Sequence, residues 1–130
     1  MAESVSEMLR QEVDCDCLLE CFHDLDGIDD DIFDLLTASE DPQTIDEIAA
    51  TIERERSTAY RSVQRLCAAD LLEKEQINYD HGGYYHVYQA RDSSTIAQEM
   101  RAMLEEWYTE VGGLIDEFEE TDDITPSNNR

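Results

Sequence analysis

Arg54, Arg56, Arg61 and Arg65 fall within one short run, RERSTAYRSVQRL, of a 130-residue chain whose 33 acidic and nine basic residues give a formal net charge of −24. Guanidinium groups at this density suit bidentate hydrogen bonding to an oxyanion or to the edge of a guanine. Residues 1–53 hold 17 acids and one base, and residues 75–130 hold 13 acids and three bases. Residues 54–74 reverse the balance with five bases and three acids. A polyanion is repelled by the flanks and meets a favourable potential only in this middle stretch.

A second group of reactive side chains lies near the start. CDCLLECFH places Cys15, Cys17, Cys21 and His23 close together, and thiolates with an imidazole are sound zinc ligands. The spacing C-x-C-x3-C-x-H departs from the paired CxxC of standard zinc modules. Reduced cysteines, with Leu18, Leu19 and Phe22 packing on the long C-terminal helix, are therefore expected, with zinc or redox sensing as the alternative and no cofactor otherwise. Cys67 belongs to an apolar helix face, and a reducing cytosol implies no structural disulfide. No glycine-rich phosphate loop and no nucleophile beside a base is present, so an enzyme is not expected.

The elements that position the arginines can be read from periodicity. DDDIFDLLTAS predicts a helix with acids at its N-terminus and Ile32, Leu35 and Leu36 on one face. After the break at EDPQ, TIDEIAATIE opens with Thr44 and Glu47 in capping-box spacing, followed by an apolar stripe of Ile45, Ile48, Ala49 and Ile52. A short turn leads to Ser57 as N-cap of a third helix, with Ala59, Val63, Leu66, Cys67 and Leu71 inward. Its outer face is read as Thr58, Arg61, Ser62 and Arg65, clear of acid until Asp70, with Tyr60 and Gln64 on the flanks. LLEKEQINY and YYHVYQA read as strands around the hairpin loop DHGG.

Three helices and a hairpin make a winged helix–turn–helix: an α+β fold, mainly α, with a β-hairpin wing. In such motifs the second helix of the pair enters the DNA major groove. The candidate DNA contacts are then Arg54, Arg56, Ser57, Thr58, Tyr60, Arg61, Gln64, Arg65 and, at the wing tip, His81. The competing structural reading pairs Arg61 and Arg65 with neighbouring acids. Tyr84, Tyr85 and Tyr88 are read as hairpin packing.

SSTIAQEMRAMLEEWYTEVGGLIDEFEE predicts a long helix with Ile96, Met100, Met103, Trp107, Val111, Leu114 and Phe118 at a mean spacing of 3.67 residues. Such a stripe in so small a protein is expected to pair with a second copy, the alternative being that it folds back on its own domain. The expected organisation is an acidic cysteine-containing segment at 1–28, the winged domain at 29–91, a dimerisation helix at 93–120 and a disordered tail at 121–130. No apolar run is long enough to span a membrane and no secretory signal opens the chain, so a cytoplasmic location is expected. Abundant carboxylate with Lys74 as sole lysine fits a salt-loaded cytoplasm, where a Debye length of about 3 Å blunts like-charge repulsion.

The run TIDEIAATIERERSTAYRSVQRLCAADLLEKEQ, followed by YYHVY, resembles the DNA-binding domain of the TrmB-like archaeal transcription regulators. It is most similar to the small haloarchaeal members that have this domain and a helix but no sugar-binding domain. The resemblance covers residues 29 to 118, and RERSTAYRSVQRL is its most specific part. It implies a dimeric, sequence-specific regulator that binds double-stranded DNA in an archaeal cytoplasm. It places the recognition role on Ser57, Thr58, Tyr60, Arg61, Gln64 and Arg65. The chain ends near residue 130, short of the effector domain of larger members, so no sugar ligand is implied. Two other functions stay open: a winged-helix adaptor that docks a basic protein, and a thiol- or metal-responsive regulator.

Overall fold

The computed structural model describes residues 4–10 and 15–124. Their elements are α1 (Val5–Leu9), α2 (Cys15–His23), α3 (Gly27–Ala38), α4 (Ile45–Ile52), α5 (Arg56–Ala68), β1 (Leu72–Asn78), β2 (Tyr84–Ala90) and α6 (Ser93–Ile124). The chain divides into two compact units, Met1–Ser93 and Ser94–Arg130.

In the first unit the apolar stripes predicted from sequence meet in one core. Ile32 and Leu36 of α3, Ile45, Ile48 and Ala49 of α4, and Ala59, Val63 and Leu66 of α5 are buried. Leu71, Leu72, Val87 and Tyr88 close it from the hairpin, and Leu19 and Leu25 are also buried. The segment 1–28 is therefore more than an acidic leader: it supplies two core residues. Each fully buried aliphatic side chain contributes about 2 kcal/mol, so Ile32, Ile48, Val63 and Leu66 hold the three-helix arrangement.

The capping box of α4 is formed: Thr44 N–H donates to Glu47 Oε1 at 2.9 Å and Glu47 N–H to Thr44 Oγ1 at 3.1 Å. At its other end Glu53 adopts the left-handed conformation (φ 58°, ψ 49°), and Arg54 N–H reaches back to the Ala49 carbonyl at 3.0 Å. That reversal is tight enough for α5 to begin at Arg56, with Glu55 at the N-cap. Ser57 is accordingly a first-turn residue, which corrects its expected place as the cap.

The hairpin is antiparallel, with Leu72 opposite Ala90 and Asn78 opposite Tyr84. Gly82 (φ 99°) and Gly83 (φ 84°) supply the left-handed loop, and Tyr79 N–H donates to the Gly83 carbonyl at 3.0 Å. Ahead of α4, Gln43 exchanges both backbone hydrogen bonds with Tyr88, at 2.9 and 2.8 Å. This joins the helix–turn–helix to the wing.

In the second unit α6 is 32 residues long, passes through Gly112 and Gly113 without a break, and continues four residues past the expected end at 120. Residues 125–130 of the expected tail lie outside the described residues. Met103, Leu104, Trp107, Tyr108, Leu114, Ile115 and Phe118 are exposed. Ile96 is buried, and Met100 and Val111 are half-buried, so the open stripe starts later than its sequence pattern indicates. Among the described residues no helix is long and apolar enough to cross a membrane.

Candidate nucleic-acid interface

Helix α5 turns about 100° per residue, so its buried set fixes its outward one. With Ala59, Ser62, Val63 and Leu66 inside, the face opposite carries Ser57, Arg61, Gln64 and Ala68, all exposed. Thr58 and Arg65 flank this face on the side of Ser62, and exposed Tyr60 flanks it on the other. The sequence reading placed Ser62 outward; it is fully buried instead.

Ser62 is buried because it has a partner. Asp29, at the start of α3, is 1% exposed, and its Oδ1 accepts a short hydrogen bond from the Ser62 hydroxyl. The same carboxylate accepts from Arg65 Nε (3.1 and 3.2 Å) and Nη2 (2.9 Å), and from the Asp26 backbone N–H (3.2 Å). Arg65 was expected to face a helix surface clear of acid. Its guanidinium is ion-paired across to α3, although the side chain stays 46% exposed. Burial pushes the Asp29 carboxyl up, but hydrogen bonds from Arg65, Ser62 and the Asp26 N–H, with the charge of Arg65, outweigh it and hold Asp29 below its ordinary value. The hydrogen bond to Asp29 raises Arg65 in turn.

Sequence reading missed Asp29 because its partners lie 33 and 36 positions away. A signal was nonetheless present. Asp29 stands three and seven residues before Ile32 and Leu36, and Ser62 stands between Ala59 and Leu66, so both polar residues interrupt apolar stripes.

The remaining basic residues divide in two. Arg56 Nε meets Asp46 Oδ1 at 2.8 Å, with both side chains mostly solvated, a pairing worth at most about 1 kcal/mol. Among the described residues Arg54 and Arg61 make no ion pair. His81 sits exposed at the wing tip, stacked on Tyr79 with ring centroids 5.5 Å apart.

Between α5 and the hairpin runs an open groove of about 560 Å³, bordered by Asp46, Arg56, Tyr60, Tyr84, His86 and Tyr88. Burial raises the Tyr88 phenol, with smaller contributions from Cys67 and Tyr60 against Arg56.

No group of three or more His, Cys, Asp or Glu able to hold a metal exists among the described residues. Cys21 is exposed and His23 half-buried, while the side chains of Cys15 and Cys17 lie outside the described residues. Cys67 is half-buried, and burial pushes its thiol up more than Lys74 draws it down. Such a thiol is protonated and unreactive at neutral pH.

The family described as "Sugar-specific transcriptional regulator TrmB" matches residues 19–94. Two uncharacterized proteins of Methanocaldococcus jannaschii are similar in sequence. MJ1503 is 37% identical over 87 residues, 67% of this chain and 64% of its own length. MJ1082 is 27% identical over 104 residues, 79% of this chain and 84% of its own length. The chain thus spans less than two thirds of the first of these relatives. Among solved structures, one described as a possible transcriptional regulator from Methanosarcina mazei Go1 superposes with a TM-score of 0.73 at 22% identity, covering 84% of this chain and 92% of that one. The structure of Staphylococcus aureus MepR in complex with DNA superposes at 0.51 with 16% identity, covering 91% and 95%.

Proposed function

The chain belongs to the TrmB family of transcriptional regulators and has the winged-helix fold, and from that premise we propose that it is a homodimer binding specific double-stranded DNA through α5. The observation that carries this reading is Arg61. It stands at the centre of the exposed face of α5, in the longest stretch of the chain with net positive charge, with no carboxylate claiming it among the described residues. Around it Ser57 and Gln64 offer smaller donors and acceptors to base edges. Arg54, Arg56, Thr58, Tyr60 and His81 are assigned to sugar and phosphate. Arg65, committed to Asp29 through Nε and Nη2, is assigned to the phosphate backbone at the edge of the major groove.

The fold supports this assignment, since MepR carries the same architecture in its DNA complex. The exposed stripe of α6 supports pairing with a second copy, as helix–turn–helix dimers pair to read two half-sites. Residues 29–91 then act as the DNA-binding domain and 93–120 as the dimerisation segment, in a cytoplasm of high ionic strength.

Selection of duplexes from a randomised pool by the purified protein tests the proposal directly. An enriched motif is expected. Arg61→Ala should weaken binding to it by about 1–3 kcal/mol, the scale of one bidentate guanidinium–base pair, with the circular dichroism spectrum unchanged. Equal affinity of Arg61→Ala and wild type would remove α5 as the reading element.

A further inference from the structure

We propose that the groove between α5 and the hairpin seats one sugar–phosphate strand of the duplex and holds it through uncharged hydroxyl donors; this deepens the DNA-binding reading and rests on it. Five of the six tyrosines of the chain, Tyr60, Tyr79, Tyr84, Tyr85 and Tyr88, border this one groove together with His86. Tyr84, His86 and Tyr88 alternate along β2 and so share a face. Their exposure falls from 59% at Tyr84 to 3% at Tyr88, making a slope from the wing tip down to the start of α5.

None of the five phenols has a hydrogen-bond partner among the described residues. Tyr88, 3% exposed, is the one of the five buried deeply enough that its hydroxyl would ordinarily find one. Facing an anion, a phenol hydroxyl acts as a hydrogen-bond donor. The acid in the groove, Asp46, is paired with Arg56 at 2.8 Å, both side chains being mostly solvated. Tyr60 stands on the flank of the recognition face, where a backbone strand passes a helix inserted in the major groove.

Stacking on unpaired bases is the competing use of so many rings. It is disfavoured because three of the five rings are already engaged: Tyr79 lies tilted 5.1 Å from Tyr85, and Tyr84 meets His86 edge-on at 5.4 Å. Hydroxyls, rather than open ring faces, are what the groove offers. The arrangement solves a problem set by composition. A molecule of charge −24 with nine cations gains hold on phosphate without needing charge, and phenol–phosphate bonds release no counterions.

The test is a salt series on a duplex of about 30 base pairs selected by the wild-type protein, with dissociation constants read by fluorescence anisotropy in KCl. The variant is Tyr60→Phe with Tyr84→Phe, which keeps both rings at positions that are 44% and 59% exposed. Expected is a loss of about tenfold at every salt concentration with the log–log slope unchanged. Arg54→Ala, which removes a charge assigned to phosphate, in contrast lowers the slope by about 2 per dimer. A double variant within about twofold of wild type overturns the proposal while leaving DNA binding intact. So does a slope flattened as in Arg54→Ala, or tighter binding of the single strand than of the duplex. Failure of the wild type to enrich any duplex overturns the DNA-binding reading itself, and this one with it.

Discussion

A single buried carboxylate fixes one edge of α5. Asp29 holds Ser62 and Arg65 at once, so its loss strands a buried hydroxyl as well as a guanidinium. Asp29→Ala should cost about 2 kcal/mol in denaturant unfolding, mostly from that unsatisfied hydroxyl, since Arg65 keeps access to water. The pH dependence follows from the sign of the shift. The folded-state value of Asp29 lies below its ordinary one, so its stabilisation is complete above about pH 4 and is lost as pH falls through the depressed value. Many other carboxylates titrate in that window. The difference between wild type and Asp29→Asn isolates this one: the gap in unfolding free energy should narrow below pH 4, and a constant gap would mean that the carboxylate carries no such linkage. The position of Arg61 was legible from helical spacing alone, because it depends on neighbours within one turn. The fate of Arg65 was not, because it depends on an acid from another helix that only the packed core brings near.

Helix ends explain most of what was legible among the elements. The α4 capping box and the Gly82–Gly83 loop follow from short-range chemistry and appear where the sequence places them. The start of α5 does not, because a non-glycine left-handed residue announces nothing in sequence. Asp24, Glu53 and Asp70 all hold positive φ at or just past helix C-termini, and each also puts a negative charge near the negative end of a helix dipole. Glu53→Gly relieves both at the turn between α4 and α5. The variant should gain up to about 1 kcal/mol, seen as a higher denaturant midpoint, with the same circular dichroism spectrum. A lower midpoint would show that the Glu53 side chain stabilises the turn by more than its strain costs.

On the scale of the whole molecule, charge and exposed apolar surface act against each other. Helix α6 leaves Trp107, at 53% exposure, Leu114 and Phe118 in water, along with many acids and Arg101 as its one base. Exposed apolar patches of this kind mark association sites. Two such helices repel as they approach, so the proposed dimer should strengthen as salt rises, opposite in sign to the salt response of a DNA contact. Light scattering of Trp107→Glu should give a monomer at salt concentrations where wild type is a dimer; a dimer in that variant would assign the interface elsewhere. The sequence displayed the stripe but not which of its turns are covered, since spacing along a helix is the same at buried Ile96 as at exposed Phe118. The two backbone bonds between Gln43 and Tyr88 carry one more implication. They clamp the wing to the chain just ahead of α4, so the span from reading helix to hairpin is set as in a gauge block. On the proposed DNA-binding reading, a duplex fitted against this gauge must itself yield in twist and groove width. Base steps that the protein never touches then enter its preference through their stiffness.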